Sequence, residues 1–212
     1  MSQGTSLRLP SVWQTATPDG IDALFASFRE AVDPQFANEV EADIRPVIAS
    51  AAEHGLVLFG AFMESLDPQP VEIDVEALTV PFEADAIAPT AIGATLAVIE
   101  SARPVRGGIK ELHRSVLARD GRRLAQPEIV ELPAGPAVVT RELESVQNPV
   151  MAKPADVFVS TYYILPAASP ELLLTLVFRT PCLGFAQEFD EQFAAIADAL
   201  EIVELDDAAM PT

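Results

Sequence analysis

Val157-Phe158-Val159-Ser160-Thr161-Tyr162-Tyr163-Ile164-Leu165 and Leu172-Leu173-Leu174-Thr175-Leu176-Val177-Phe178 are two strand-length apolar runs separated by Pro166-Ala167-Ala168-Ser169-Pro170. β-branched, aromatic and leucine side chains fill both, and a short Pro/Ser connector between such runs predicts two antiparallel strands. The period then changes. Phe185, Phe189, Phe193, Ile196 and Leu200 recur at steps of three and four, with Gln187, Asp190, Glu191 and Asp198 between them. That spacing predicts a helix with one apolar stripe and an acidic solvent face. The stripe needs a sheet to cover it, and the preceding hairpin is the nearest one. Hairpin and helix together are the expected core.

Working outward, residues 128–132 and 137–143 flank Pro133-Ala134-Gly135-Pro136 and read as a second hairpin. Residues 56–63 are apolar on both faces, which predicts a central strand covered on both sides. Residues 77–82 read as another strand, its end pushed to an edge by Pro81. Residues 7–13 read as a short edge strand, with Trp13 covering one margin of the core. After the turn chemistry of Thr17-Pro18-Asp19-Gly20, the residues Ile21, Leu24, Phe25, Phe28 and Val32 have helical spacing. Asp33 then suits an N-cap and Pro34 the first position of a second helix, which runs through Ile44 and Ile48 to a stop at Gly55. Pro46 should kink or split that helix near Asp43, because proline removes a backbone donor and crowds the preceding turn. Residues 88–102 read as an alanine-rich helix with Leu96 and Ile99 on its apolar side. The expected class is α+β, a mostly antiparallel sheet with helices packed on it. One domain over residues 1–212 is expected, with 205–212 as a frayed acidic tail.

Composition narrows the function. The chain has 212 residues, 50% hydrophobic, and a net charge of -19. Phosphate binding needs clustered cations, so this charge argues against nucleic acid and against anionic membrane surfaces. The single cysteine, Cys182, excludes an internal disulfide and any C-x-x-C metal site. Residues 1–10 show neither a basic nor an apolar leader region, and the apolar runs are shorter than a membrane helix requires. A soluble cytoplasmic protein is expected.

Chemical motifs are sparse. There is no Gly-rich phosphate loop, no G-x-S-x-G and no H-E-x-x-H. His54 falls in a helix's last turn, where a cation suits the dipole. His113 stands near Ser115, and a catalytic pairing is the sharper reading against a bland surface one. Cys182 precedes the C-terminal helix; a small apolar contact competes there with a reactive thiol. Alternating Glu72, Asp74 and Glu76 read as a solvated face, as do Glu188, Asp190 and Glu191, so no metal and no cofactor are expected.

One segment departs from the acidic background. Arg103, Arg106, Lys110, Arg114, Arg119, Arg122 and Arg123 concentrate there, and Asp120-Gly121 predicts a hairpin turn. These cations either bond to the protein's own acidic surface or form a contact patch. In the second case Arg106, Lys110, Arg114, Arg119, Arg122 and Arg123 bind a protein partner of acidic character, or a second copy of the chain.

Leu9-Pro10-Ser11-Val12-Trp13, the stretch Glu131-Leu132-Pro133-Ala134-Gly135-Pro136-Ala137, the run Leu174-Thr175-Leu176-Val177-Phe178-Arg179-Thr180-Pro181 and Phe193-Ala194-Ala195-Ile196-Ala197 together resemble a group of uncharacterised actinobacterial proteins with a Mog1/PsbP-like pattern. The resemblance implies an α/β/α sandwich, with the two N-terminal helices as additions. It also implies protein binding as an accessory subunit, without a shared catalytic set. The expected function is therefore a non-enzymatic protein-interaction module, an accessory, adaptor or chaperone-like subunit of a bacterial assembly. The alternatives are a structural subunit of a larger assembly, or a small-molecule enzyme using Cys182 or His113 with Ser115.

Overall fold

The structure is a computed structural model that describes residues 2–7, 9–31, 34–65, 91–102, 107–146 and 154–205. In chain order these form Ser2–Leu7 (β1), Gln14–Ala16 (β2), Ile21–Ala31 (α1), Pro34–Glu53 (α2), Leu56–Ser65 (β3), Ala91–Ala102 (β4), Ile109–Leu117 (α3), Glu128–Leu132 (β5), Gly135–Val146 (β6), Ala155–Ile164 (β7), Leu172–Thr180 (β8), Ala186–Asp198 (α4) and Leu200–Leu205 (β9). The class is α+β. A seven-stranded sheet runs in the order β2-β3-β4-β8-β7-β6-β5, and β1 pairs with β9 in a separate two-stranded sheet. Every pairing among the described residues is antiparallel.

The two apolar runs are β7 and β8, with Tyr162 opposite Leu176 and Ile164 opposite Leu174. Side chains alternate across a strand. One face therefore collects Tyr162 and Ile164, Leu174, Leu176 and Phe178, Leu96 and Val98, and Ala137 and Val139. The stripe of α4 closes on that face: Phe193 stacks on Phe178 with ring centroids 4.5 Å apart, and Tyr162 meets Phe178 edge-on at 5.8 Å. The opposite face is covered in two parts. Ile21, Leu24 and Phe25 of α1 and Ile48 and Ala51 of α2 pack over Phe59 and Ala97. At the other end, Leu112 and Val116 of α3 pack over Val138, Leu165 and Leu173.

The second hairpin forms as its turn residues demand. Leu132 lies opposite Gly135, and Gly135 has φ +140, a conformation open to glycine. A Cβ there would also sit 2.3 Å from the Leu165 carbonyl oxygen.

Several expectations are corrected. Residues 91–102 are a strand, not a helix. Alanine is the best helix former, but intrinsic propensity is a weak bias: Leu96 and Val98 on one face and Ala97 on the other meet helical layers on both sides of the sheet, and tertiary burial outweighs it. Pro46 lies inside an unbroken α2. Ile44, Ile48 and Ala51 pack on one cluster, and Arg45 bridges Glu41 and Asp22, so both halves are held to the same surface. The first strand ends at Leu7; the chain turns at residues 10–13, Trp13 N donating to Pro10 O at 2.9 Å, and Trp13 is buried against Phe62. β3 is covered on both faces but stands one place in from the short edge strand β2. Residues 109–117 form a helix, and no hairpin is built on Asp120-Gly121. β9 follows α4 where no strand was expected. The expected strand at 77–82, the Asp33 cap, Glu72, Asp74, Glu76, Arg103, Arg106 and residues 206–212 lie outside the described residues.

Candidate functional site

The basic segment becomes α3 and the loop after it. The helix has a buried stripe, Leu112 and Val116, so it is docked on the sheet, and Lys110 and Arg114 fall one turn apart on its outer side, both exposed. Neither has a hydrogen-bond or ion-pair partner among the described residues. Leu117, 37% exposed, and Leu124, 54% exposed, add apolar surface at the same end.

The other arginines are engaged with the chain itself. Arg123 donates to the carbonyls of Val116 (2.7 Å) and Leu117 (3.2 Å), and to that of Arg119. The Val116 and Leu117 carbonyls close α3, that of Val116 also accepting the Arg119 N–H at 3.1 Å, so Arg123 adds a side-chain cap that suits the helix dipole. Arg123 also pairs with Glu142 at 3.5 Å, across an isolated bridge between the two residues. Arg119 donates to the Tyr163 hydroxyl at 3.1 Å and lies 5.3 Å over that ring. Arg122 donates to Asp156 Oδ1 at 2.9 Å and Ser145 Oγ at 3.0 Å. The Ser145 hydroxyl, first, and Arg122, second, hold the Asp156 carboxyl below its usual range. Of the expected contact residues, Lys110 and Arg114 are thus presented outward, Arg119 and Arg122 are shared between surface and fold, and Arg123 holds the fold together.

The residues named for the enzyme alternative, Cys182 and His113 with Ser115, are not brought together. His113 Nε2 lies 2.8 Å from the Pro127 carbonyl, and Ser115, two residues on, projects from another side of the helix. Cys182 packs half-buried against the α4 side of the sheet, while α3 covers the opposite face, so the sheet separates it from His113. His54 Nδ1 lies 2.7 Å from the Ser50 carbonyl just past α2. Among the described residues no group of His, Cys, Asp and Glu could hold a metal ion, and no helix is long and apolar enough to cross a membrane.

A second cluster, on the α4 face, escaped the reading of the sequence. Arg141 Nε donates to Asp190 Oδ2 at 2.6 Å, and its Nη1 reaches Glu128; Ser160 Oγ donates to Asp190 Oδ1 at 3.2 Å. Burial opposes the charge of Arg141, but the bonds to Glu128 and Asp190 outweigh it and raise the pKa. Beside this cluster Val130, Leu132, Val139, Arg141, Tyr162, Ala194, Ala195 and Asp198 line an open cleft of about 360 Å³. Burial, and next the charge of Asp190, push Tyr162 up to about 12. Arg141 lies 13 residues from Glu128 and 49 from Asp190, so no local motif joins them. One signal was legible: Arg141 follows Ala137 and Val139 at strand period, a cation where the pattern points inward. No family model matches the chain, and no curated protein matches it.

Proposed function

We propose that the chain is a non-enzymatic protein-interaction module, an accessory or adaptor subunit of a bacterial assembly, which takes an acidic partner on α3 and the loop that follows. The observation that carries this reading is the outward pair Lys110 and Arg114. Both are exposed without a partner among the described residues, on a helix fixed to the sheet, in a chain of net charge -19. Leu117 and Leu124 give the patch the apolar area that a contact surface needs, while its cations steer the encounter. The helices on both faces of the sheet favour a Mog1/PsbP-like sandwich with α1 and α2 as additions, the group whose resemblance implied protein binding.

The test is affinity capture from native lysate with the natural chain beside the Lys110→Ser/Arg114→Ser variant, with Arg123 left intact so that α3 keeps its cap. An acidic partner held by the natural chain and lost by the variant is the expected result. A partner held equally by both moves the interface elsewhere. No partner at all, from a chain shown to be folded, overturns the reading.

A further inference from the structure

We infer that the acidic partner of α3 is a second copy of this chain, docked through the outer side of α4 and the turn Leu183–Phe185 that leads into it. This rests on the reading of α3 as a contact surface and names what that surface takes. Among the described residues six large apolar side chains are exposed, and five of them fall in two places. Leu183 and Phe185 stand just before α4. Leu117, Leu124 and Ile129 stand at α3: Leu124 follows Arg123, whose guanidinium holds the Leu117 carbonyl, and Ile129 lies opposite Val138, which α3 covers. Apolar exposure gathered in this way marks contact surfaces, whereas single scattered residues do not.

The two places carry opposite charge. α3 adds Lys110 and Arg114, exposed and unpaired among the described residues. α4 adds Glu188 and Glu191, also exposed. Glu191 accepts from the neutral Gln187 at 3.3 Å, and neither carboxylate meets a cation among the described residues. Each pair spans one helical turn, with ~5–6 Å between Cβ atoms, so the two pairs match in spacing as well as in sign. α3 covers one face of the sheet and α4 the other, so the patches cannot meet within one chain. Either patch set against its own twin would oppose like charges. Only α3 of one copy on α4 of the next joins opposite charges and apolar area together. The net charge of -19 repels any two copies, but at physiological salt the Debye length is ~8 Å, so the charges in contact outweigh the distant ones. The joined surfaces differ, so each copy keeps one of each kind free and the contact repeats head to tail.

The test is sedimentation velocity of the full chain over a concentration series at physiological salt. The sedimentation coefficient should climb with concentration past that of a dimer. Lys110→Glu/Arg114→Glu and Glu188→Lys/Glu191→Lys, each shown to be folded, should weaken self-association by about tenfold or more, since like charges then meet. An equimolar mixture of the two should associate again, because the acidic α4 of the first meets the basic α3 of the second. Phe185→Ala, which leaves every charge in place, should weaken the contact by about tenfold. A natural chain that is monomeric at every concentration overturns the inference. So does self-association that either charge variant or Phe185→Ala leaves unchanged, or a mixture that stays apart. Capture from lysate decides separately on α3: a foreign partner that still depends on Lys110 and Arg114 leaves the adaptor reading standing when the second copy fails.

Discussion

At the scale of single residues, the clearest consequences come from groups whose surroundings fix one protonation state. Both tyrosines of the chain, Tyr162 and Tyr163, are raised above the ordinary phenol value, in each case first by burial. Tyr162 is pushed up to about 12. A raised tyrosine favours the neutral native state, so its contribution is fully present below pH 10 and is lost as pH climbs toward 12, while the unfolded chain has already ionised. Phenolate absorbance should therefore stay low in the folded protein at pH 10 and emerge above it, together with loss of fold. Absorbance that rises near pH 10 in the folded protein would show both phenols to be solvated. Asp156 behaves in the opposite sense. Its folded pKa is depressed, so its small, exposed contribution is present above the unfolded carboxylate pKa and disappears as pH falls through the folded one. Carboxyl NMR should find Asp156 titrating below ordinary aspartates, and Arg122→Ala should return it part of the way.

At the scale of elements, α4 and its sheet decide stability. Phe193 is wholly buried and stacked on Phe178, so Phe193→Ala should cost about 3–5 kcal/mol in urea unfolding. Phe185 is 40% exposed at the start of the same stripe, and Phe185→Ala should change stability far less. If both cost the same, α4 is not seated as described. Removing the guanidinium of Arg123 leaves the end of α3 without its cap, so Arg123→Ala should cost about 1–3 kcal/mol, more than Arg114→Ala, which loses no contact among the described residues. These elements also show what the sequence could and could not convey. Period was readable in α1 and α4, where one face is apolar and the other polar, and β-branched and aromatic content marked β7 and β8, which are covered on both faces. Both signals failed at β4, where alanine is used because it is small enough to fit between layers. Period failed again at α3, where the arginines drew the eye to a hairpin turn and away from Leu112 and Val116, spaced as a helix. The cap made by Arg123 was unreadable in principle, because the carbonyls it binds are assembled only by folding.

For the whole molecule, the dominant fact is the excess of 32 acidic over 13 basic residues. Described ion pairs such as Arg29 with Glu41 and Arg45 with Asp22 sit at the surface, where each is worth ~0–1 kcal/mol and weakens with salt. Self-repulsion of a net charge of -19 is spread over the entire surface and is screened by the same salt, with a Debye length falling from ~10 Å at 0.1 M to ~3 Å at 1 M. The unpaired excess exceeds the paired charge, so repulsion should win, and the urea midpoint should rise as sodium chloride is added. Urea is the suitable denaturant, since guanidinium would itself screen the charges. Attraction between the basic face of α3 and an acidic partner has the reverse dependence and should weaken over the same range. Salt therefore separates the two effects in one series: a fold that strengthens while the complex loosens locates the contact at a charged patch. A midpoint that falls with salt would mean that the local ion pairs outweigh the global repulsion, and that the acidity of the chain is already compensated within its own surface.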